Sequence, residues 1–288
     1  MYAPSFDYYR AASVADAQRL LAAHPGAKLL AGGHSLLPLL KLRLASPPAL
    51  IDIGRIADLK GVSAADGGVR IGSLTTHAEL AASALLKQHC PVVAEAASHI
   101  GDPTVRNRGT IGGSLAHADP GADLPTVLTA LDGRIEIAGA KGARTVGADT
   151  FFVGMMATAL GEGDVLTAVW VPGLGAGRGA AYTKFAHPAS RYAVVGAAAL
   201  VEVKNGVCTG ARVAVGGLVP RPTRIPSVEA ALQGKALSAD WVARAAATAG
   251  SDLGADVIGD IYASSDYRRA MAATYVRRAV EAAARRAG

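Results

Sequence analysis

The sequence predicts an α+β protein of two domains, and three observations carry that prediction. In the first half, short apolar strands alternate with capped helices around two paired-glycine segments, Ala31-Gly32-Gly33-His34-Ser35 and Thr110-Ile111-Gly112-Gly113-Ser114. In the second half, three strand-like runs are followed by alanine-rich helices, the order expected of a sheet backed by helices. Between the halves, Pro172 to Gly179 holds four glycines and one large apolar residue, Leu174. This stretch marks a boundary between residues 1–175 and 178–288. A chain of 288 residues, 51% hydrophobic and 18% charged, can bury the cores that such a protein needs.

The elements follow in order. Ser13-Val14-Ala15-Asp16 is a capping-box signature opening a helix through Leu20, Leu21 and Ala23, which Pro25-Gly26 ends. Lys28-Leu29-Leu30 is a short strand running into the first glycine pair. Leu36 to Leu40 starts a helix, with Pro38 tolerated in its first turn. Pro47-Pro48 breaks the chain, and Leu50 to Ile53 is a strand, giving a small β-α-β-α-β unit. Val69 to Gly72 is strand-like. Thr76-His77-Ala78-Glu79 caps a helix ending near Gln88, and Val92 to Ile100 forms another. After the second glycine pair comes a helix from Leu124 to Leu131, then a turn at Asp132-Gly133 and a strand from Arg134 to Ile137. Phe151-Phe152 and Leu166 to Val171 complete a mixed sheet. Beyond the boundary lie strands at Ala181 to Phe185, Gly196 to Val203 and Cys208 to Val215, with Asn205-Gly206 as a hairpin turn. Helices at Val228 to Leu232, Trp241 to Ala249 and Tyr267 to Arg286 close the chain.

Several classes of function are excluded or disfavoured. No apolar run approaches the roughly 18 residues of a membrane span, and Met1 to Asp7 lacks the basic start of a signal peptide. Cys90 and Cys208 build no disulfide framework, so a cytoplasmic setting is the default expectation. The net charge of +6 includes the pairs Arg268-Arg269, Arg277-Arg278 and Arg285-Arg286. Aromatics are only 5%, so the chain lacks stacking platforms and nucleic acid is not expected as a partner. The seven histidines show no metal-ligand spacing, no G-x-S-x-G elbow is present, and no acid–base set for bond breaking emerges. Gly175 to Ala180 fits G-x-G-x-x-A, but a strand follows it where a dinucleotide fold needs a helix.

The glycine segments carry the chemistry that remains. A strand-to-helix connection presents free helix amides to a phosphate, paired glycines let a backbone approach a ligand closely, and Ser35 adds a hydroxyl. Two such segments suit an extended, doubly anchored anion such as a dinucleotide pyrophosphate. Asp119 and Asp123 follow the second segment. Asp123 has two readings at this point, a ribose ligand or the N-cap of the helix beginning at Leu124.

Ala31-Gly32-Gly33-His34-Ser35 with Leu42-Arg43-Leu44 and Leu50-Ile51-Asp52-Ile53 resembles the FAD-binding medium subunit of molybdenum hydroxylases, the xanthine dehydrogenase and aerobic carbon monoxide dehydrogenase family. Arg108 to Ser114, Asp119 to Pro125, Lys184, Arg191-Tyr192-Ala193 and Ser265 to Arg269 extend the likeness over essentially the whole chain. The resemblance implies a two-subdomain FAD-binding domain of the PCMH (vanillyl-alcohol-oxidase-like) type, with subdomains of about 1–55 and 56–175. A small α+β domain with a three-stranded antiparallel sheet and helices would follow at 178–288. It implies pyrophosphate binding by the amides of Gly32 to Leu36 and Thr110 to Ser114, and further cofactor contacts from Ala31, His117, Asp119, Asp123, Leu166 and Lys184. Tyr192 would pack on the isoalloxazine.

The resemblance also implies an oxidoreductase subunit that passes electrons through FAD to an external acceptor, with a quinone favoured. Its partners would be a small subunit with two two-iron two-sulfur clusters and a large molybdopterin subunit, in a dimer of heterotrimers. It would be cytoplasmic, meeting a membrane quinone at the inner face of the membrane. Two cysteines cannot ligate such a cluster in this chain. Arg191 stands where carbon monoxide enzymes carry an acid, and Ser114 where they carry asparagine, so the resemblance does not name the substrate. The alternatives are a stand-alone FAD-dependent reductase of the same fold, for which no serine-plus-glutamate proton-donor pair stands out, and a non-enzymatic assembly factor, for which the two glycine segments would be superfluous.

Overall fold

The structure is a computed structural model and describes residues 2–288. The chain opens with strand β1 (Asp7–Arg10), helix α1 (Val14–Ala23), β2 (Lys28–Leu30), α2 (Leu36–Lys41) and β3 (Ala49–Asp52). The three strands form a parallel sheet in the order β1-β3-β2. Ser13 caps α1 by accepting from Asp16 N, as its sequence predicts. A core of Ala17, Leu20, Ile51, Ile53 and Leu59 lies beneath this sheet.

A second layer follows: β4 (Val62–Ala65), β5 (Gly68–Gly72), α3 (His77–Ala82), α4 (Ala84–His89), α5 (Pro91–Ser98), α6 (Pro103–Arg106), α7 (Ile111–His117), α8 (Asp123–Ala130), β6 (Arg134–Gly139), β7 (Gly142–Gly147), α9 (Ala148–Phe151), β8 (Phe152–Gly154), β9 (Ala157–Thr158) and β10 (Val165–Pro172). Its five-stranded sheet has the order β4-β5-β10-β6-β7, and every pairing is antiparallel. The predicted mixed sheet is therefore corrected: hairpins join β4 to β5 and β6 to β7, so no parallel crossover is needed. Phe152 does not join that sheet either. It pairs with Thr158 in a separate ribbon, while Phe151 ends α9, and both rings are buried edge to face in the core. The helix predicted from Thr76 to Gln88 is two helices. Ser83 ends α3 and caps α4 by accepting from Leu86 N. All of α8 is buried, packed against α5 and α7 and against strands of the last sheet.

The rest of the chain comprises β11 (Arg178–Ala186), β12 (Ala193–Lys204), β13 (Val207–Gly216), β14 (Thr223–Arg224), α10 (Pro226–Leu232), α11 (Ala239–Ala246) and α12 (Ser265–Ala287). The sheet β11-β12-β13-β14 is antiparallel and has four strands where three were predicted, because the two residues Thr223 and Arg224 add an edge to β13. Asn205 and Gly206 both have positive φ, the signature of the tight hairpin that joins β12 to β13. Helix α12 lies across β11 and β12 and buries Ala272, Val276, Ala279, Val280 and Ala283. Its small residues let the helix sit close to the sheet. Among the described residues no helix is long and apolar enough to cross a membrane.

Candidate functional site

A cavity of about 1180 Å³ opens where the loop after β2, the start of α7 and the loop before β12 converge. Its volume exceeds the roughly 300–1,000 Å³ of ordinary small-molecule pockets, so it suits a large ligand. The loop from Ala31 to Leu36 forms one wall. Gly32, Gly33, His34, Ser35 and Leu36 each have a main-chain N–H that finds no acceptor among the described residues. A run of unsatisfied donors on a cavity wall is an anion-binding arrangement. Gly32 is required for a different reason. A Cβ there would stand 1.9 Å from the carbonyl oxygen of Arg108, so a side chain would push the two glycine segments apart.

The second segment differs from its prediction. Thr110 to Ser114 is not a free bend but the capped start of α7. Thr110 Oγ1 accepts from Gly113 N, Ser114 N donates to Thr110 O, Ile111 N donates to Thr75 O and Gly112 N donates to Ser73 O. These amides are engaged within the protein, and the expectation that they stand free for a diphosphate is corrected. The reason is packing. Thr76 and Thr110 form an isolated antiparallel bridge, and a Cβ on Gly112 would come within 2.5 Å of Ser73 Cβ. Gly112 is bare so that α7 can lie against the strand end. What the segment turns toward the cavity is the flank of Thr110, Gly113, Ser114 and His117.

The other candidate residues divide between the lining and the layer behind it. Asp119, Asp123 and Tyr192 line the cavity, whereas Ile111, Gly112, Leu166 and Lys184 do not. Ile111 and Leu166 belong to the middle core. Asp123 is not the cap of α8, since Ala122 holds that position. Its buried carboxylate accepts from Tyr182 Oη at 2.5 Å and from Lys184 Nζ at 3.0 Å. Burial pushes the Asp123 carboxyl up, while Lys184 and Tyr182 pull it back. Burial, then Asp123, drives the Tyr182 phenol well above its ordinary range. Tyr192 is 44% exposed and lines the same cavity as Ser35.

Sequence reasoning missed three features. Tyr182 reads as an ordinary strand residue, and nothing marks it as the partner of Asp123. The segment from Met156 to Asp164 closes one side of the cavity, held by a salt bridge from Arg144 to Asp164 at 2.5 Å. His77 also lines the cavity. It is 5% exposed and its Nδ1 has no hydrogen-bond partner. Burial, with the charges of Arg106 and His34, brings its pKa down to about 4, so the imidazole is neutral at physiological pH. The capping box at Thr76 and Glu79 did mark the helix that carries it.

The sequence profile described as the FAD binding domain in molybdopterin dehydrogenase matches residues 4–174, and that of the CO dehydrogenase flavoprotein C-terminal domain matches residues 180–283. This chain belongs to the FAD-binding subunits of the molybdopterin dehydrogenase family. The nicotine 6-hydroxylase medium subunit of Paenarthrobacter nicotinovorans is 38% identical over 99% of this chain and 100% of its own length. The carbon monoxide dehydrogenase medium chain of Hydrogenophaga pseudoflava is 40% identical over 98% of both chains. A solved structure of carbon monoxide dehydrogenase from Hydrogenophaga pseudoflava, which lacks the molybdenum–pyranopterin moiety of its cofactor, superimposes with a TM-score of 0.96 at 41% identity, covering 100% of each chain. The molybdopterin dehydrogenase likeness accounts for the two-layer architecture and the following α+β domain, and it identifies an oxidoreductase subunit.

The cavity is chemically suited to FAD. Free amides on the Gly32–Leu36 loop match a diphosphate, and the orphaned imidazole nitrogen of His77 is a buried polar atom with no partner in the protein. Among the described residues no cluster of His, Cys, Asp or Glu is arranged for a metal.

Proposed function

We propose that this chain is the electron-transfer subunit of a heterotrimeric molybdenum hydroxylase, holding FAD in the 1180 Å³ cavity. The observation that carries the proposal is the row of unsatisfied amides from Gly32 to Leu36 on that wall, in a chain whose first 174 residues carry an FAD-binding profile. The loop amides bind the diphosphate, with Ser35 nearby. Thr110, Gly113, Ser114 and His117 form the facing wall, Asp119 and Asp123 stand beside it, and Tyr192 presents its ring. Ile111, Gly112, Leu166 and Lys184 support that wall from behind. FAD bound there supplies reversible acceptance and release of electrons. The residues of this chain bind it, orient it and limit its exposure to water.

Substrate oxidation belongs to another subunit, in agreement with the names of the relatives, which are medium subunits or chains. A large molybdopterin subunit and a small subunit with two two-iron two-sulfur clusters would complete the heterotrimer, two of which would associate. The sequence shows no nicotinamide-binding element, which favours a quinone as acceptor, met at the inner face of the membrane by a cytoplasmic complex. The proposal is tested by purifying the protein with its accompanying chains and measuring flavin released on denaturation. One FAD per copy of this chain, with two further subunits, is the expected result. A colourless protein that releases no flavin contradicts it, and a yellow protein without partners points to a stand-alone reductase.

A further inference from the structure

Lys184 has no donor left for a ligand. Its side chain is 3% exposed, and its ammonium donates to Asp123 Oδ2, to the main-chain oxygen of His99 at 2.9 Å and to that of Arg191 at 2.8 Å. An ammonium carries three protons, and here three acceptors take them. The lysine therefore joins three elements: the N-terminus of α8, the C-terminus of α5 and the loop from His187 to Tyr192.

In that loop Arg191 has φ +59°, the left-handed conformation that is uncommon for a non-glycine residue. The other hydrogen bonds of residues 187–192 run within the loop. Arg191 N donates to His187 O, His187 N donates to Tyr192 O, and His187 Nδ1 accepts from the amides of Ala189 and Ser190. The bond from Lys184 to Arg191 O ties this loop to the body of the protein one residue before Tyr192, and Ala193 N donates to Gly121 O one residue after it. Tyr192 itself packs against Gly121 and lines the same cavity as Ser35 on the amide-bearing loop.

We propose that Lys184 is a positioning residue that sets the place of Tyr192 over the cofactor cavity through the Arg191 carbonyl, without touching the cofactor. The inference rests on the FAD reading of the cavity. It also explains why Lys184 sits outside the lining while its neighbour Asp123 sits inside it.

The test is a double-mutant cycle on the full-length protein, purified with whatever chains accompany it and stripped of flavin. FAD affinity and the fluorescence of bound FAD are measured for wild type, Lys184→Met, Tyr192→Ala and the double variant. Each single substitution should weaken FAD about tenfold and raise the fluorescence of bound flavin, since an aromatic stacking contact is worth that much. The double variant should match the weaker single within about twofold, because both remove one contact. Losses that multiply in the double variant overturn the proposal, as does a Lys184→Met protein with wild-type affinity and fluorescence. If Lys184→Met leaves Asp123 charged and unpaired and does not fold, Lys184→Met with Asp123→Asn removes the buried charge, and the same cycle is run against Asp123→Asn. Wild-type protein that takes up no FAD overturns the reading of the cavity, and this inference with it.

Discussion

Acid should weaken this protein through His77. The folded protein holds the imidazole at a pKa of about 4, against an ordinary value of 6.5, because burial disfavours its charge and Arg106 and His34 add repulsion. Above pH 6.5 the ring is neutral whether the chain is folded or not, and stability is unaffected. As pH falls below 6.5, the unfolded chain binds a proton that the folded chain refuses, and stability declines until the folded group titrates near pH 4. The interval is about 2.5 pH units, which at 1.36 kcal/mol per unit is about 3 kcal/mol, a large share of ordinary protein stability. The assay is urea denaturation of wild type and His77→Gln at pH 7.5, 6.5, 5.5 and 5.0, with flavin content followed in parallel. Between pH 6.5 and 5.0 the wild type should lose about 2 kcal/mol more than the variant. Equal losses would refute the reasoning, because His77 would then titrate alike in both states.

Three further outcomes follow from the packing. Gly32→Ala should separate the glycine segments, lowering stability by about 1–3 kcal/mol and abolishing flavin retention, measured by denaturation and by flavin absorbance; a variant that keeps its flavin contradicts the close approach to Arg108. Gly112→Ala should destabilise by a similar amount, about 1–3 kcal/mol, through Ser73, a residue behind the cavity, so flavin loss should track unfolding when both are followed on heating. Tyr182→Phe should cost about 1–3 kcal/mol in thermal denaturation, since the buried Asp123 loses a donor; an unchanged melting temperature contradicts that bond.

The elements that were legible share one property: their signals are local. Ser13 and Thr76 cap helices by bonds to residues three positions on, and Asn205-Gly206 makes a turn from its own backbone preferences. The elements that were missed depend on distant partners. Strand β1 is mostly exposed and lacks an apolar face, and it is a strand because Ala49 to Asp52 pairs with it. Strand β7 is an edge strand that is mostly exposed, with glycine at both ends, and β14 has only two residues. Such strands carry little hydrophobic pattern to fix them.

The candidate site shows the same division. Paired glycines announced both segments, but only tertiary structure distinguishes their roles. The first keeps its amides free, while the carbonyls of Thr75 and Ser73 take those of Ile111 and Gly112, respectively. Nothing near Asp123 in the sequence reveals that Tyr182 and Lys184 will face it, because they lie 59 and 61 positions further along the chain.

The central claim is that unsatisfied main-chain nitrogens of one loop grip a diphosphate. A crystal or cryo-EM structure of the FAD-loaded protein tests it most directly. The account predicts diphosphate oxygens within about 3 Å of amide nitrogens in the Gly32–Leu36 stretch. A diphosphate lying elsewhere, with those nitrogens still facing solvent, would contradict it.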